Sequence, residues 1–308
     1  METRDDLRAL VEEGVLLTSR ALEAGWSRSS LSRRLVSESW TRIRQGAWAE
    51  PGRAIDFGVR LSATRLLHPR LVVSHHSAAR LQRIETLDTD PPGLVEFIDP
   101  ALGSHRRVPG VRVHRIPVDP ADVDERQGVR VTEVARTLAD LLRAGPRNHA
   151  LVSVESALGC RRVGGVRRTP LVTPARLALA LEAPLLGAVR ARRWLRLVDR
   201  GSGSPAETVA RLHMLDAGLR PETQAEVRTR DGRRRYLDFL FRPEGLAVEI
   251  EGYAYHGTRD AHRRDLTRFN EIHQCPEVRT LLRYTAETVF YHPTRMTTEI
   301  HATLARQT

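Results

Sequence analysis

The stretch from Arg233 to His256, RRRYLDFLFRPEGLAVEIEGYAYH, constrains the fold of this chain more than any other. Its residues alternate with period two on either side of Arg242-Pro243-Glu244-Gly245, which predicts two strands joined by a tight turn. Alternation places Tyr236, Asp238 and Leu240 on one face and Leu237, Phe239 and Phe241 on the other. On the second strand Ala247, Glu249 and Glu251 share a face, set against Val248 and Ile250. If the carboxylate-bearing faces coincide, three acids converge in an otherwise apolar hairpin. Like charges that close raise one another's pKa unless a cation lies between them, and oxygen-only ligands suit a hard divalent ion, Mg²⁺ first and Mn²⁺ as its substitute. The alternative is the solvated face of an edge hairpin, the common origin of alternating charge in a strand. Asp238 argues against it, because strands disfavour Asp unless something fixes it and its neighbours here are apolar.

Charge points the same way. The chain carries a formal net charge of +11, which favours a polyanionic partner, nucleic acid most simply. It contains no lysine, so every basic residue besides histidine is arginine. Codon bias toward GC explains arginine over lysine, but not the excess of base over acid. The opening METRDDLRAL has acids where a signal peptide needs a basic and then an apolar run. No apolar stretch approaches the roughly 20 residues of a membrane span, so a cytoplasmic protein with no membrane partner is expected. Cys160 and Cys275 have neither zinc spacing nor a disulfide framework.

Three parts are expected along the 308 residues: 1–52, 53–198 and 199–308. The first reads as a winged helix-turn-helix. Asp5 to Glu13 is its first predicted helix; Ser19 caps a second from Arg20 to Ala24, closed by Gly25; and Ser27 caps a third from Arg28 to Ser37. Arg28, Arg33 and Arg34 lie off the buried side of that third helix, and Trp40 to Trp48, with Arg42 and Arg44, alternates and turns as a wing would. A helical protein-interaction cap is the other reading of so short a pattern.

The middle part is α/β. A helix is expected over Ile55 to Leu67, strands at Leu71 to Val73, Leu94 to Ile98, Val111 to Ile116 and Val129 to Val131, and a helix from Glu133 to Arg143. The pair His75-His76 falls at a helix start, where adjacent side chains do not face one another and no third ligand is spaced to join them, so a structural or phosphate-contacting role is expected. Helices dominate from Ala150 to Val198. There Arg190, Arg192, Arg193 and Arg196 form either a DNA-facing patch or a solvated face.

Asp199 to Ser204 reads as a flexible linker, and Ser204-Pro205-Ala206-Glu207 as a capping box opening the next helix. That box gives Glu207 a structural role beside any catalytic one. A strand near Ala225 to Thr229, a turn at Asp231-Gly232, the acidic hairpin, a helix from Arg259 to Gln274, a strand from Val278 to Tyr284 and a final helix give an α-β-β-β-α-β order. Arg233, Arg234 and Arg235 would bring cationic side chains near the acids, suited to a phosphate, or else a solvated hairpin end. Arg264, Asp265 and Arg268 contact substrate or satisfy one another across a helical turn.

Asp238, ten intervening residues, Glu249-Ile250-Glu251-Gly252-Tyr253 and His256, followed by Arg264-Asp265 and Arg268, resemble the very-short-patch-repair-like branch of the PD-(D/E)xK nucleases over about the last third of the chain. The rest resembles AbiEi-type antitoxins. The resemblance implies a restriction-endonuclease-like mixed sheet flanked by helices, Asp238 and Glu249 as metal ligands, Glu207 as a helix acid and His256 as proton acceptor. Where the motif has Lys this chain has Glu251, so water activation would fall to the metal, Glu251 or His256; arginine, always protonated, cannot serve as the base. The expected activity is Mg²⁺-dependent endonuclease cleavage of double-stranded DNA, in defence or repair. A homodimer and a cognate toxin or defence partner are further partners it admits. A DNA-binding, antitoxin-like repressor with an inherited acidic scaffold is the competing expectation, and RNA is not excluded as substrate.

Overall fold

The computed structural model describes residues 6–87, 93–103, 108–163, 165–251 and 269–307. The chain is α/β. It forms two compact units: Met1–Gln82 with Asp88–Thr137, and Arg83–Leu87 with Leu138–Thr308. In sequence the larger pieces of the two units meet at residues 137 and 138. Among the described residues no helix is long and apolar enough to cross a membrane.

In the first unit the helix expected over Asp5 to Glu13 is absent from its described residues. A 3-10 turn, Leu7–Leu10, is followed by Gly14 at φ 78° and strand β1, Val15–Leu17. The left-handed glycine breaks any helix, and pairing of Val15 with Ala49 satisfies the backbone instead. Helix α1, Thr18–Glu23, starts before Ser19, so that serine is not its cap. Gly25, at φ 88°, turns the chain into α2, Arg28–Ser37, where Ser27 Oγ accepts a hydrogen bond from the Ser30 amide at 3.2 Å. Leu31 and Leu35 bury against Leu7, Leu16, Ala21 and Trp40. Strands β2, Thr41–Arg44, and β3, Ala47–Ala49, complete a sheet of order β1-β3-β2, so helix, turn, helix and hairpin follow one another as in a winged helix.

Helix α3, Phe57–Leu67, is capped by Asp56, whose carboxylate accepts from the Val59 amide. The chain then builds a five-stranded mixed sheet of order β6-β5-β4-β8-β7, from β4 (Val72–Val73), β5 (Val95–Ile98), β6 (Val111–His114), β7 (Val123–Arg126) and β8 (Val129–Thr132). Strand β7, VDER, was not expected because an exposed edge strand needs no apolar alternation. Helix α4, His75–Leu81, follows β4, and α5, Val134–Ala144, follows β8.

The second unit contains α6 (Arg147–Leu158), a hairpin of β9 (Arg161–Val163) and β10 (Val166–Arg168) that the sequence reading missed, α7 (Pro174–Ala180), α8 (Ala188–Leu195) and α9 (Pro205–Asp216). The segment read as a flexible linker is an ordered turn. Asp199 donates its amide to Glu155 at 2.8 Å, the Gly201 amide bonds Asp199, and Ser202 is buried beside Arg211. Its anchor is the buried ion pair of Glu155 and Arg211 between α6 and α9, which a composition-based reading cannot see.

A four-stranded sheet follows, in the order β11 (Glu222–Arg228), β12 (Arg234–Phe241), β13 (Leu246–Glu251) and β14 (Thr280–Thr285). The first three strands are antiparallel, and β14 runs parallel to β13. One face packs Phe239, Phe241, Val248 and Ile250 against α9 and the two closing helices, α10 (Ala286–Tyr291) and α11 (Pro293–Ala305). The other packs Ala225, Val227, Leu237, Leu240 and Ala247 against Ile272 and Cys275, beside the helical residues 269–273. A parallel last strand requires a crossover.

Candidate carboxylate site

Strands β12 and β13 pair only from Phe239↔Val248 to Phe241↔Leu246. At the next pair, side chains replace the ladder. The Asp238 amide donates to Glu249 Oε1 at 3.2 Å, and the Ile250 amide donates to Asp238 Oδ2 at 2.9 Å. This explains an acid inside an apolar strand, since Asp238 takes up a backbone donor that β12 would otherwise leave unpaired. It also corrects the expected faces: Leu237 packs with Leu240 and Ala247, apart from Phe239 and Phe241, so the simple alternation fails at Asp238.

Glu207 enters from the first turn of α9. Its amide donates to Ser204 Oγ at 3.2 Å, and its Oε2 accepts the Gly203 amide at 2.6 Å. The cap is therefore real. The same Oε2 also accepts from Gln224 Nε2 at 3.2 Å, and that nitrogen lies 3.1 Å from Asp238 Oδ1. One amide of β11 thus ties the helix acid to the strand acid. Burial, and then the charge of Asp238, push the Glu207 carboxyl up to about 7, against the lowering effect of the Gly203 amide. The carboxylate is shared between a cap and a second acid. Gln224 was not singled out from sequence; a glutamine in a strand carries no periodic signal.

Glu251 is engaged elsewhere. Glu251 pairs with Arg283 of β14 at 2.7 Å, and the Arg283 guanidinium lies over the Phe269 ring. Among the described residues no group of three or more His, Cys, Asp or Glu is placed to hold a metal. The set brought together is Glu207 and Asp238, with Glu249 against the Asp238 backbone. His256, Arg264, Asp265 and Arg268 lie outside the described residues. Arg233 contacts Asp231 and Glu271, Arg234 contacts Glu226, and Arg235 contacts Glu271. These partners are hairpin and helix acids, whereas the sequence places the three arginines next to Asp238 in the chain.

On the winged helix, Arg28 and Arg33 are exposed, and Arg34 pairs with Glu38 one turn on. Arg42 is exposed, its guanidinium 5.9 Å from the Trp48 ring centre. Arg44 is turned inward instead, donating to Thr64 of α3 at 3.1 Å, and burial lowers its pKa.

A second charged cluster escaped the sequence reading. Buried Glu96 of β5 accepts from the His76 amide and His76 Nδ1, both at 2.9 Å, from Arg112 at 3.0 Å and from His114 Nε2 at 3.1 Å. Burial opposes its charge, yet the bonds from His114 and His76 hold its carboxyl well below the usual range. His75 stands at φ 50°, stacked on His114 with ring centres 3.6 Å apart. Both histidines reach one cluster, His75 through its stacking on His114 of β6 and His76 through Glu96 of β5, where the sequence offers no third residue to join them. Glu96 inside the apolar run Leu94 to Ile98 was the available signal, of the same kind as Asp238.

No known family profile matches the chain. It is 30% identical over 179 residues to the uncharacterized proteins MT2308 and Rv2248, from two strains of Mycobacterium tuberculosis. The match covers 55% of this chain and spans 63% of the length of those relatives. The RV2827C protein of the same organism, known from a crystal structure, is 20% identical with a TM-score of 0.41, over 70% of this chain and 83% of that one.

Proposed function

We propose that the second unit is a divalent-metal-dependent DNA endonuclease and that the winged helix of the first binds its duplex. The observation that carries this reading is the meeting of Glu207 and Asp238 on Gln224, with Glu249 at the neighbouring strand position. Two acids sharing one amide, one of them pushed up to about 7, fit a hard cation by the chemistry of the donor set. Asp238 and Glu207 would hold Mg²⁺ or Mn²⁺, with Glu249 beside them; the ion would supply charge to the scissile phosphate and lower the pKa of the attacking water. The chain's own part is to orient. The Ile250 amide fixes one Asp238 oxygen and leaves the other to the site, while the Gly203 amide, donating to Oε2, fixes the rotamer of Glu207. Exposed Arg28, Arg33 and Arg42 supply phosphate contacts.

A second reading has its own support. Glu251 is neutralised by Arg283 and Glu249 is bonded to backbone, which suits an inherited scaffold in an antitoxin-like DNA-binding repressor. The test is nicking of supercoiled plasmid with Mg²⁺, Mn²⁺ or chelator, beside Asp238→Ala. Metal-dependent nicking lost in the variant is expected. DNA retention in a gel shift by both proteins, without cleavage, would favour the repressor.

A further inference from the structure

We propose that Gln224 is a placeholder for the cation: its amide holds Glu207 and Asp238 together in the metal-free site and gives up that place when a divalent ion binds. The inference rests on the metal-site reading above and adds a positioning residue to it.

Gln224 lies inside β11, yet its φ is 49°, a left-handed conformation that non-glycine residues rarely adopt within a strand. The register runs on without a bulge from Thr223↔Phe239 to Ala225↔Leu237, which sets Gln224 opposite Asp238. The strained backbone falls where both strands switch the faces their side chains present, without a change of register. What it accompanies is one side-chain nitrogen bonded to both carboxylates, Glu207 Oε2 at 3.2 Å and Asp238 Oδ1 at 3.1 Å. Backbone strain persists where surrounding structure over-determines it, and it concentrates at functional positions.

The chemistry of the amide fits a placeholder. Its two N–H groups can serve one carboxylate each, so both acids keep a donor after desolvation. A neutral amide brings no net charge, however, so it bridges the acids without supplying a counter-charge of its own. A divalent ion in the same place would do both, and the amide would have to withdraw first. Gln224 thus lowers the affinity of the site for metal in exchange for a metal-free site that does not spread apart.

The experiment is Mn²⁺ titration of the full chain, reading free Mn²⁺ by electron paramagnetic resonance, for the parent protein, Gln224→Met, Gln224→Gly and Asp238→Asn. Thermal melts in chelator check folding. Met keeps the size without donors, and Gly removes the same amide while relieving the backbone. Both variants are expected to bind Mn²⁺ about tenfold more tightly, because hydrogen bonds to charged groups no longer have to be given up. Asp238→Asn is expected to lose the ion. Unchanged or weaker affinity in the folded variants, with binding by the parent, overturns the role of Gln224 and leaves the metal site standing. No Mn²⁺ binding by the parent overturns the metal site itself, and the role of Gln224 with it.

Discussion

His75 makes the stability of the first unit depend on pH in a way that can be calculated. Its imidazole is buried and stacked on His114, and burial first, then the proximity of His114, hold its pKa at about 3 against the ordinary 6.5. The unfolded chain takes up a proton below 6.5, whereas the folded chain does not until about 3, so stability is lost as pH falls through that window. Between pH 7 and pH 5 the loss amounts to about 2 kcal/mol. The figure does not depend on the exact folded value, because anything well below 5 leaves His75 neutral over the whole range. Glu96 is also depressed, but its contribution is lost only as pH falls below the ordinary carboxylate value of 4.5, outside this interval. The perturbation is His75→Asn, since asparagine tolerates the left-handed backbone at φ 50° and does not titrate. Urea unfolding at the two pH values, followed by tryptophan fluorescence, should show the parent losing about 2 kcal/mol more than the variant between pH 7 and 5. Parent and variant losing the same stability, within about 0.5 kcal/mol, would refute the argument.

Three further outcomes are expected. Glu155→Ala leaves the Arg211 charge buried without its carboxylate and should destabilise the second unit by about 3–5 kcal/mol, read in urea melts; a change under about 1 kcal/mol would count against the pair as an anchor. Arg33→Ala should weaken duplex binding and make the plot of log affinity against log salt shallower by about one, measured by fluorescence anisotropy; an unchanged slope removes Arg33 from the phosphate contacts. Ser27→Ala should cost about 1 kcal/mol by exposing the α2 amide that Ser27 now satisfies, and a melt identical to the parent's would deny that cap its weight.

Much of this fold was legible because period and punctuation agree. The α2 boundaries follow from Ser27 and the spacing of Leu31 and Leu35, and β12 and β13 follow from alternation around the Arg242 to Gly245 turn. The failures share a cause: each depended on partners distant in sequence. Leu7, Leu10 and Val11 have helical spacing, but Gly14 and the pairing of β1 with β3 decide the local structure. The glycine and serine run at 199–204 looks flexible until Glu155, forty-four residues earlier, accepts the Asp199 amide. Asp238 and Glu207 were recognisable as acids in telling contexts. Their link through Gln224 is a tertiary fact with no local trace, and of the gathering of His76, Arg112 and His114 on Glu96 only the lone acid in an apolar run shows in the sequence.

The second unit is not a continuous piece of chain. Arg83–Leu87 belong to it although Leu138 begins the rest, and there the Glu85 amide donates to Ser156 Oγ at 3.0 Å while the Arg83 carbonyl accepts from Arg168. Gene rearrangement that excises everything after residue 199, or even after 138, would therefore leave a module with unfilled hydrogen bonds. A homologue carrying this unit alone must replace those five residues with others, and recombination between such proteins should be tolerated only where the exchanged segment carries both pieces together.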